Sequence, residues 1–252
     1  HSRVGTKHLV ERYLDAVTAA MNHLCEVEVP GMDAATKLAT FEAQANNVGA
    51  SALLLSGGAP LGLFHIGVVK ALFEQGLLPQ IVSGASTGSM IAGGLCTRTD
   101  EELSEVLNDP VSSIDTRVFR LSGFAQMREE QALMAGDRLL QAIEANMRSD
   151  TFLEAYQRTG RILAMSVSPT RARQKPRLLC HTTAPDILVT SASLASCAIP
   201  GLFSPTALMR RRGDVVSEAV PGERWSDGSV EGDLPTERLA RLLGVNYTIV
   251  SQ

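Results

Sequence analysis

Two glycine-rich segments of the sequence contain the residue types of an acyl-transfer site. Ser56–Gly62 and Gly84–Gly88 each follow an apolar run that predicts a buried strand, and each leads into a helical pattern. A glycine loop at such a turn can direct backbone N–H groups at an anion. A Gly-x-Ser-x-Gly turn in the same setting lifts a serine hydroxyl clear of the sheet. The first segment therefore predicts an oxyanion hole, and the second predicts a nucleophile at Ser86.

The glycine loop has two rival interpretations, and both fit poorly. A dinucleotide site needs Gly-x-Gly-x-x-Gly and an acidic residue about 20 positions later, at the end of a second strand. Here the glycines fall at 57, 58 and 62, and the next strand leads straight into the Ser86 turn. A Walker loop needs a lysine after its last glycine, and Leu63 follows Gly62. An oxyanion hole fits better, because Gly57 and Gly58 leave their N–H groups open.

The group that would activate Ser86 is less obvious. None of the five histidines lies late in the chain, where an α/β-hydrolase of the order Ser, Asp, His places its base. His65 follows the glycine loop by one helical turn and is expected to pack or to form hydrogen bonds. Asp227, next to Gly228, is the better candidate, although an Asp-Gly pair is usually only a turn. A carboxylate is a weaker base than imidazole, so the oxyanion loop would carry more of the barrier.

Composition narrows the class of protein. The chain of 252 residues has a net charge of −4 and a pI of about 5.8, so the sequence predicts no nucleic-acid partner. Its apolar stretches are strand-sized and fall short of the roughly 20 residues of a membrane-spanning helix. The N-terminus lacks the apolar core of a signal peptide, which predicts a cytoplasmic protein, with peripheral membrane attachment as an open alternative. The four cysteines lack metal-type spacing and are expected to be reduced.

Hydrophobic periodicity predicts two helices, over residues 6–25 and 33–45, and then an alternating α/β pattern. We therefore expect an N-terminal helical extension over residues 1–48 and a catalytic domain over residues 49–252. Because the chain stops directly after a strand, that domain is expected to be incomplete at its C-terminus. A charged loop is expected over residues 210–224. The predicted strands are Ala52–Leu55, Ile81–Val82, Ile162–Val167, Leu178–Cys180, Ile187–Thr190 and Tyr247–Val250.

Three motifs carry a resemblance to a known family. The segments Gly57–Val68, Gly84–Gly88 and Asp227–Gly228 resemble the three signatures of patatin-like phospholipases. The flanks Ser196–Pro205 and Trp225–Val250, with the N-terminal helices, resemble the branch related to yeast and plant triacylglycerol lipases. The resemblance implies a three-layer α/β/α fold with a mainly parallel sheet. It also implies a dyad of nucleophile Ser86 and base Asp227, an oxyanion loop of Gly57, Gly58 and Ala59, and no metal or cofactor.

The sequence departs from the plant patatin pattern at two positions of the oxyanion loop. Ala59 replaces a third glycine, which is tolerable if φ stays negative there. Leu61 replaces a basic residue, and losing that charge favours neutral glycerides over anionic lipids. Leu61, Leu202 and Phe203 are expected to line an acyl groove, with a place in the core as the alternative.

The resemblance implies hydrolysis of glycerolipid acyl esters, of the triacylglycerol lipase kind, at a membrane or lipid-droplet surface. Two enzymatic alternatives stay open. One is a phospholipase A or lysophospholipase, and the other is an acyltransferase that passes the acyl group to an alcohol. A third alternative is a lipid-binding scaffold that keeps the fold without catalysis. Intact Ser86 and Asp227 argue against the scaffold.

Overall fold

A computed structural model describes residues 7–115, 132–171 and 173–252. The chain divides into two units, residues 1–49 and 50–252. The first unit holds helices α1 (His8–Glu26) and α2 (Ala34–Val48). Asp33 caps α2, as the sequence predicts, because its Oδ1 accepts the Thr36 N–H at 2.8 Å. The predicted N-terminal helices are therefore present.

The second unit alternates strands and helices. Its strands are β1 (Ala50–Leu55), β2 (Ile81–Gly84), β3 (Ile162–Pro169), β4 (Arg177–Leu179), β5 (Met209–Arg212), β6 (Val215–Glu218), β7 (Trp225–Asp227) and β8 (Val245–Ser251). A 3₁₀ helix (Ala59–Leu63) precedes α3 (Phe64–Glu74). The helices that follow are α4 (Thr87–Cys96), α5 (Asp100–Asn108), α6 (Pro110–Ser113), α7 (Ala132–Asn146), α8 (Phe152–Thr159), α9 (Val189–Ser196), α10 (Ser229–Gly232) and α11 (Thr236–Leu243). Part of the predicted helical region 100–150, residues 116–131, lies outside the described residues.

The main sheet has the order β4-β3-β2-β1-β8, and β7 also pairs with β3. The pairs β1–β2, β1–β8 and β2–β3 are parallel, whereas β4 and β7 run antiparallel to β3. Because parallel neighbours end at the same edge, the loops after β1 and β2 meet there. The antiparallel β7 brings the chain back to this edge beside the end of β3.

Apolar side chains from successive strand positions point to opposite faces of the sheet. Leu53, Leu55 and Val82 belong to the larger core cluster, with residues of α4, α7 and α9. Ala52 and Leu54 belong to the smaller cluster, with Leu239 of α11. Helices therefore cover both faces, and the predicted α/β class with a mainly parallel sheet is confirmed.

Two local predictions are wrong. Ile187–Thr190 was expected to be a strand, but Ile187 and Leu188 form only isolated bridges and helix α9 begins at Val189. Tight burial of the small residues that follow overrides the local preference. Residues 210–224 were expected to be a loop, but β5 and β6 form a hairpin through a two-residue turn at Gly213, where φ is +58°. Because residues 210–212 are all arginine, the sequence of β5 lacks the alternation of apolar and polar residues that predicts a strand.

Candidate active site

The two glycine-rich segments lie side by side at the carboxyl edge of the parallel strands. Leu55 of β1 pairs with Gly84 of β2, and the Ala85 N–H donates to the Leu55 carbonyl at 3.2 Å. The Ser56 N–H donates to the Ser251 carbonyl at the end of β8, at 3.0 Å. The sheet therefore places the glycine loop and the Ser86 turn next to each other.

Ser86 has a backbone conformation that residues other than glycine rarely adopt. Its φ is +50° and its ψ is −127°, and it directly precedes helix α4. A Cβ at Gly84 would overlap the Gly88 carbonyl, and a Cβ at Gly88 would overlap the Leu55 carbonyl. Both flanking glycines are therefore needed for the turn to close against β1. Such strain costs about 1–3 kcal/mol and is typical of functional turns.

Hydrogen bonds from buried serines hold the Ser86 backbone. The Ser86 N–H donates to Ser196 Oγ at 3.0 Å, and Ser196 Oγ donates to the Ser166 carbonyl at 2.7 Å. Ser89 Oγ donates to the Ser86 carbonyl at 2.7 Å. Within the described ranges, no hydrogen bond involves the Ser86 hydroxyl. The backbone is thus fixed while the hydroxyl stays uncommitted at the start of α4, where the helix dipole favours negative charge.

Asp227 is the last residue of β7 and is only 2% exposed. Its N–H donates to the Ala198 carbonyl at 3.0 Å, and the Gly228 N–H donates to the Ser196 carbonyl at 3.3 Å. A Cβ at Gly228 would overlap the Ser166 carbonyl, so the turn after Asp227 also requires glycine. Residues 196–198 therefore hold both the Ser86 turn and the Asp227 turn.

The Asp227 carboxylate is oriented by the residue two positions later. Asp227 Oδ1 accepts the Ser229 N–H at 2.8 Å and the Ser229 hydroxyl at 2.7 Å. In the part of the chain that is described, Oδ2 accepts no hydrogen bond, and none joins Asp227 to Ser86. Gly57 lies between the two turns, because a Cβ built on it would be 3.2 Å from Cβ of both Ser86 and Ser229. The structure thus gathers Ser86, Gly57, Ser229 and Asp227 in one place.

The predicted oxyanion loop differs from its expected form at two residues. The Gly57 N–H donates to Asp233 Oδ1 at 2.8 Å, whereas the Gly58 and Ala59 N–H groups have no partner among the described residues. The condition under which Ala59 would be tolerated, a negative φ, is not met, since its φ is +49°. Ala59 opens the 3₁₀ helix there, and its carbonyl accepts the Thr87 hydroxyl of α4 at 3.0 Å. That contact ties the loop to helix α4 and keeps the strained conformation.

Asp233 brings a second carboxylate to this loop. Burial raises the pKa of Asp233, and the negative charge of Asp227 raises it further, while the Gly57 N–H and His65 oppose this rise. His65 is buried, with Nδ1 2.7 Å from Ser251 Oγ and Nε2 3.0 Å from the Ser56 carbonyl oxygen. It therefore forms hydrogen bonds within the fold, as the sequence predicts.

The three residues expected to line an acyl groove lie in different environments. Leu61 is 81% exposed on the 3₁₀ helix, beside Phe64, which is 79% exposed. Leu202 is half-buried against the larger core cluster. Phe203 is buried and lines a cavity of about 150 Å³ together with Leu194 and Ala198. Ala198 also accepts the Asp227 N–H, so this cavity adjoins the Asp227 turn.

Sequence reasoning missed three residues of the site. Ser196 lies in a segment noted only for its family resemblance, and its role depends on three separate elements meeting. Ser229 and Asp233 follow Asp227 within six positions, so polar residues just after the Asp-Gly pair were the available signal. Their partners Asp227 and Gly57 show that this short segment completes the site.

A comparison with family models decides the family. The patatin-like phospholipase model matches residues 53–240, which include every motif of the site. The chain belongs to the patatin-like phospholipase family. Its matched region contains the Ser86 turn, the glycine loop and the Asp227 turn described above.

Curated members of this family are similar over almost the whole chain. A patatin-like phospholipase domain-containing protein of Yarrowia lipolytica is 39% identical over 254 residues, which cover 98% of this chain and 31% of that protein. Triacylglycerol lipase 4 of Saccharomyces cerevisiae is 34% identical, covering 100% of this chain and 29% of the lipase. Triacylglycerol lipase ptl2 of Schizosaccharomyces pombe is 36% identical, covering 98% and 40%. This patatin-like chain thus spans well under half the length of these relatives.

Of the helices in the described ranges, none combines the length and the apolar content needed to cross a membrane. The same ranges contain no grouping of three or more His, Cys, Asp or Glu side chains that could hold a metal ion.

Proposed function

We propose that this chain hydrolyses the acyl esters of neutral glycerolipids through an acyl-enzyme on Ser86, with Asp227 as the base. One observation carries the proposal. Ser86 occupies a strained turn at the start of α4 with an uncommitted hydroxyl, and one segment, residues 196–198, forms hydrogen bonds with both this turn and the turn of the buried Asp227. Patatin-like family membership and the relatives named triacylglycerol lipase support the same chemistry.

The first half-reaction forms the acyl-enzyme. Ser86 Oγ attacks the ester carbonyl carbon while its proton passes to Asp227 Oδ2, the carboxylate oxygen that Ser229 leaves unoccupied. The carbonyl oxygen becomes an oxyanion and accepts N–H bonds from Gly58 and Ala59, at the positive end of α4. The tetrahedral intermediate then expels the glyceride alkoxide, which takes the proton from Asp227 and leaves as an alcohol.

The second half-reaction releases the fatty acid. Asp227 accepts a proton from a water molecule, whose oxygen attacks the acyl carbon. The new tetrahedral intermediate collapses, the C–O bond to Ser86 breaks, and Ser86 Oγ recovers the proton from Asp227. Ser229 acts as a positioning residue, because its two hydrogen bonds to Oδ1 fix the rotation of the carboxylate. Water and a second alcohol would compete at this step, which is the point where hydrolysis and acyl transfer divide.

The surface next to the oxyanion loop suits a lipid interface. Leu61 and Phe64 are large apolar side chains that are almost fully exposed within four residues of Pro60. Burying one such side chain in lipid gains about 1.5–3 kcal/mol. We propose that they contact a membrane or lipid-droplet surface and present the ester to Ser86. The absence of a basic side chain at Leu61 favours neutral glycerides there.

The test measures released products by mass spectrometry on a panel of triacylglycerol, diacylglycerol, phosphatidylcholine and phosphatidylglycerol. The wild type is expected to release fatty acid, most rapidly from neutral glycerides. Ser86→Ala and Asp227→Asn are expected to stay folded and to lose turnover. Matched controls are Ser149→Ala and Asp214→Asn, which change exposed residues outside the site. A folded wild type with no turnover would favour the scaffold alternative, and comparable turnover of phosphatidylglycerol and triacylglycerol would contradict the neutral preference.

A further inference from the structure

A pocket rich in arginine lies along the outer edge of the main sheet, at β4. Its volume is about 560 Å³, and none of its described lining residues belongs to the site around Ser86. We call it the arginine pocket, after Arg177, Arg210, Arg212, Arg238 and Arg241 in its wall. Among the described residues that line it, two are acidic, Asp186 and Glu223. Positive charge therefore exceeds negative charge there, in a chain whose net charge is −4.

Three separate elements direct arginines into this pocket. Strand alternation places Arg210 and Arg212 of β5 on the pocket side, while Arg211 between them pairs with Glu154 elsewhere. Arg238 and Arg241 are three positions apart on α11 and so share a helix face. The strand alternation of β5 and the helical spacing of α11 therefore each bring two arginines to the pocket. Arg177, at the start of β4, is the fifth.

Most of these arginines already have partners. Arg212 Nε lies 3.1 Å from Asp186 Oδ2, and Arg177 Nη2 lies 3.9 Å from Glu223 Oε1 with its guanidinium 4.9 Å from the Trp225 ring centre. Arg238 donates to the Pro176 carbonyl. These contacts hold the guanidinium groups in place around the pocket.

Arg210 is different. Its Nε is buried and has no hydrogen-bond partner, and no carboxylate among the described residues forms an ion pair with its guanidinium. Leaving a buried charged donor unpaired is costly, so such a group needs an explanation. The planar guanidinium fork matches the oxygens of a phosphoryl group, which can accept from several arginines at once. Leu208 and Leu242 add apolar wall beside these charges.

We propose that the arginine pocket binds a phosphoryl group, with Arg210, whose guanidinium has no carboxylate partner among the described residues, as one of its donors. The phosphoryl group belongs either to free phosphate or to the headgroup of an acidic lipid whose hydrocarbon part contacts the apolar wall. This site is separate from the acyl-transfer site, so neither proposal depends on the other.

The test titrates the 252-residue chain with inorganic phosphate by calorimetry at low ionic strength, with chloride as the reference anion. A second arm measures co-sedimentation with vesicles of phosphatidylcholine, with and without phosphatidic acid. Arg210→Met keeps the length of the side chain and removes its charge. Arg211→Met is the matched control, since it changes the adjacent residue on the opposite side of β5. Thermal unfolding of each variant reports whether it is folded.

We expect phosphate binding that weakens with added salt, and a loss of about tenfold or more in affinity for Arg210→Met. Arg211→Met is expected to bind like the wild type. Binding in the phosphate arm identifies free phosphate as a ligand, and binding only to phosphatidic acid vesicles identifies the lipid headgroup. Absence of binding in both arms, or equal binding by wild type and Arg210→Met, would overturn the proposal. If Arg210→Met fails to fold, the same measurements are made on Arg241→Gln, which changes an exposed arginine of the pocket wall. Unchanged phosphate affinity of that variant would overturn the proposal.

Discussion

The strain at Ser86 makes a prediction about stability that is independent of any substrate. With φ at +50° and ψ at −127°, Ser86 occupies a region that glycine adopts readily and other residues do not. Replacing it with glycine should release about 1–3 kcal/mol of strain. Glycine loses more backbone entropy on folding, by about 0.5–1 kcal/mol, which offsets part of that gain. Ser86→Ala keeps a Cβ and therefore keeps the strain.

The comparison of interest is Ser86→Gly against Ser86→Ala, because both remove the hydroxyl. The hydroxyl forms no hydrogen bond within the described ranges, so its loss should cost the two variants equally. Ser86→Gly is expected to be more stable than Ser86→Ala by about 1 kcal/mol. For a chain of this size the difference corresponds to about 2–4 °C in Tm. Neither variant is expected to hydrolyse esters.

Thermal unfolding followed by fluorescence suits this measurement, since the single tryptophan, Trp225, is 1% exposed and lies two residues before Asp227. Ala85→Gly serves as the control for glycine itself. Ala85 is fully buried and its φ is not positive, so the substitution should lower stability. An equal or lower Tm for Ser86→Gly than for Ser86→Ala would refute the argument that the Ser86 turn stores strain.

Three further predictions follow from particular contacts. Because burial raises the pKa of Asp233, the folded state binds that proton more tightly than the unfolded chain, and stability should fall as pH rises from the ordinary aspartate value through the raised one. Asp233→Asn should flatten this dependence in unfolding measured across pH, and an unchanged profile would contradict the assignment. Phe64→Asp should lower turnover of emulsified triacylglycerol far more than turnover of a soluble short-chain ester. Val111→Asp, which changes another exposed apolar residue, should lower neither rate. Equal losses on both substrates for Phe64→Asp would count against an interfacial role. His65→Phe should lower the unfolding free energy by about 1–3 kcal/mol, because it removes hydrogen bonds to Ser251 and Ser56. The fraction that stays folded should still be labelled at Ser86 by a fluorophosphonate. A folded His65→Phe protein with an inert Ser86 would instead make His65 part of the chemistry.

The positions of the site motifs could be predicted because they depend on local patterns. The adjacent parallel strands β1 and β2 end at the same edge of the sheet. The turns containing Gly57 and Ser86 directly follow these two strands and therefore lie close together. The Asp227 turn could be proposed only from its residue types. Its placement depends on β7 pairing with β3, which involves residues about sixty positions apart and leaves no local signal.

The parts that sequence reasoning missed arise from tertiary contacts. The positive φ at Ala59 depends on the Thr87 hydroxyl that holds its carbonyl, and propensity alone favours a negative value for alanine. The engagement of the Gly57 N–H by Asp233 joins residues 176 positions apart. Helix α9 includes Val189 and Thr190, which were predicted to end a strand, because its small residues pack tightly between the sheet and α7.

The most direct test of the proposed dyad is the rate of labelling by a fluorophosphonate, with the adduct located by peptide mass spectrometry. We expect the wild type to carry the adduct on Ser86, and folded Asp227→Asn to react slower by at least about a hundredfold, the lower range for loss of a general base. An adduct on another residue, or labelling of Asp227→Asn at the wild-type rate, would contradict the assignment of Ser86 and Asp227.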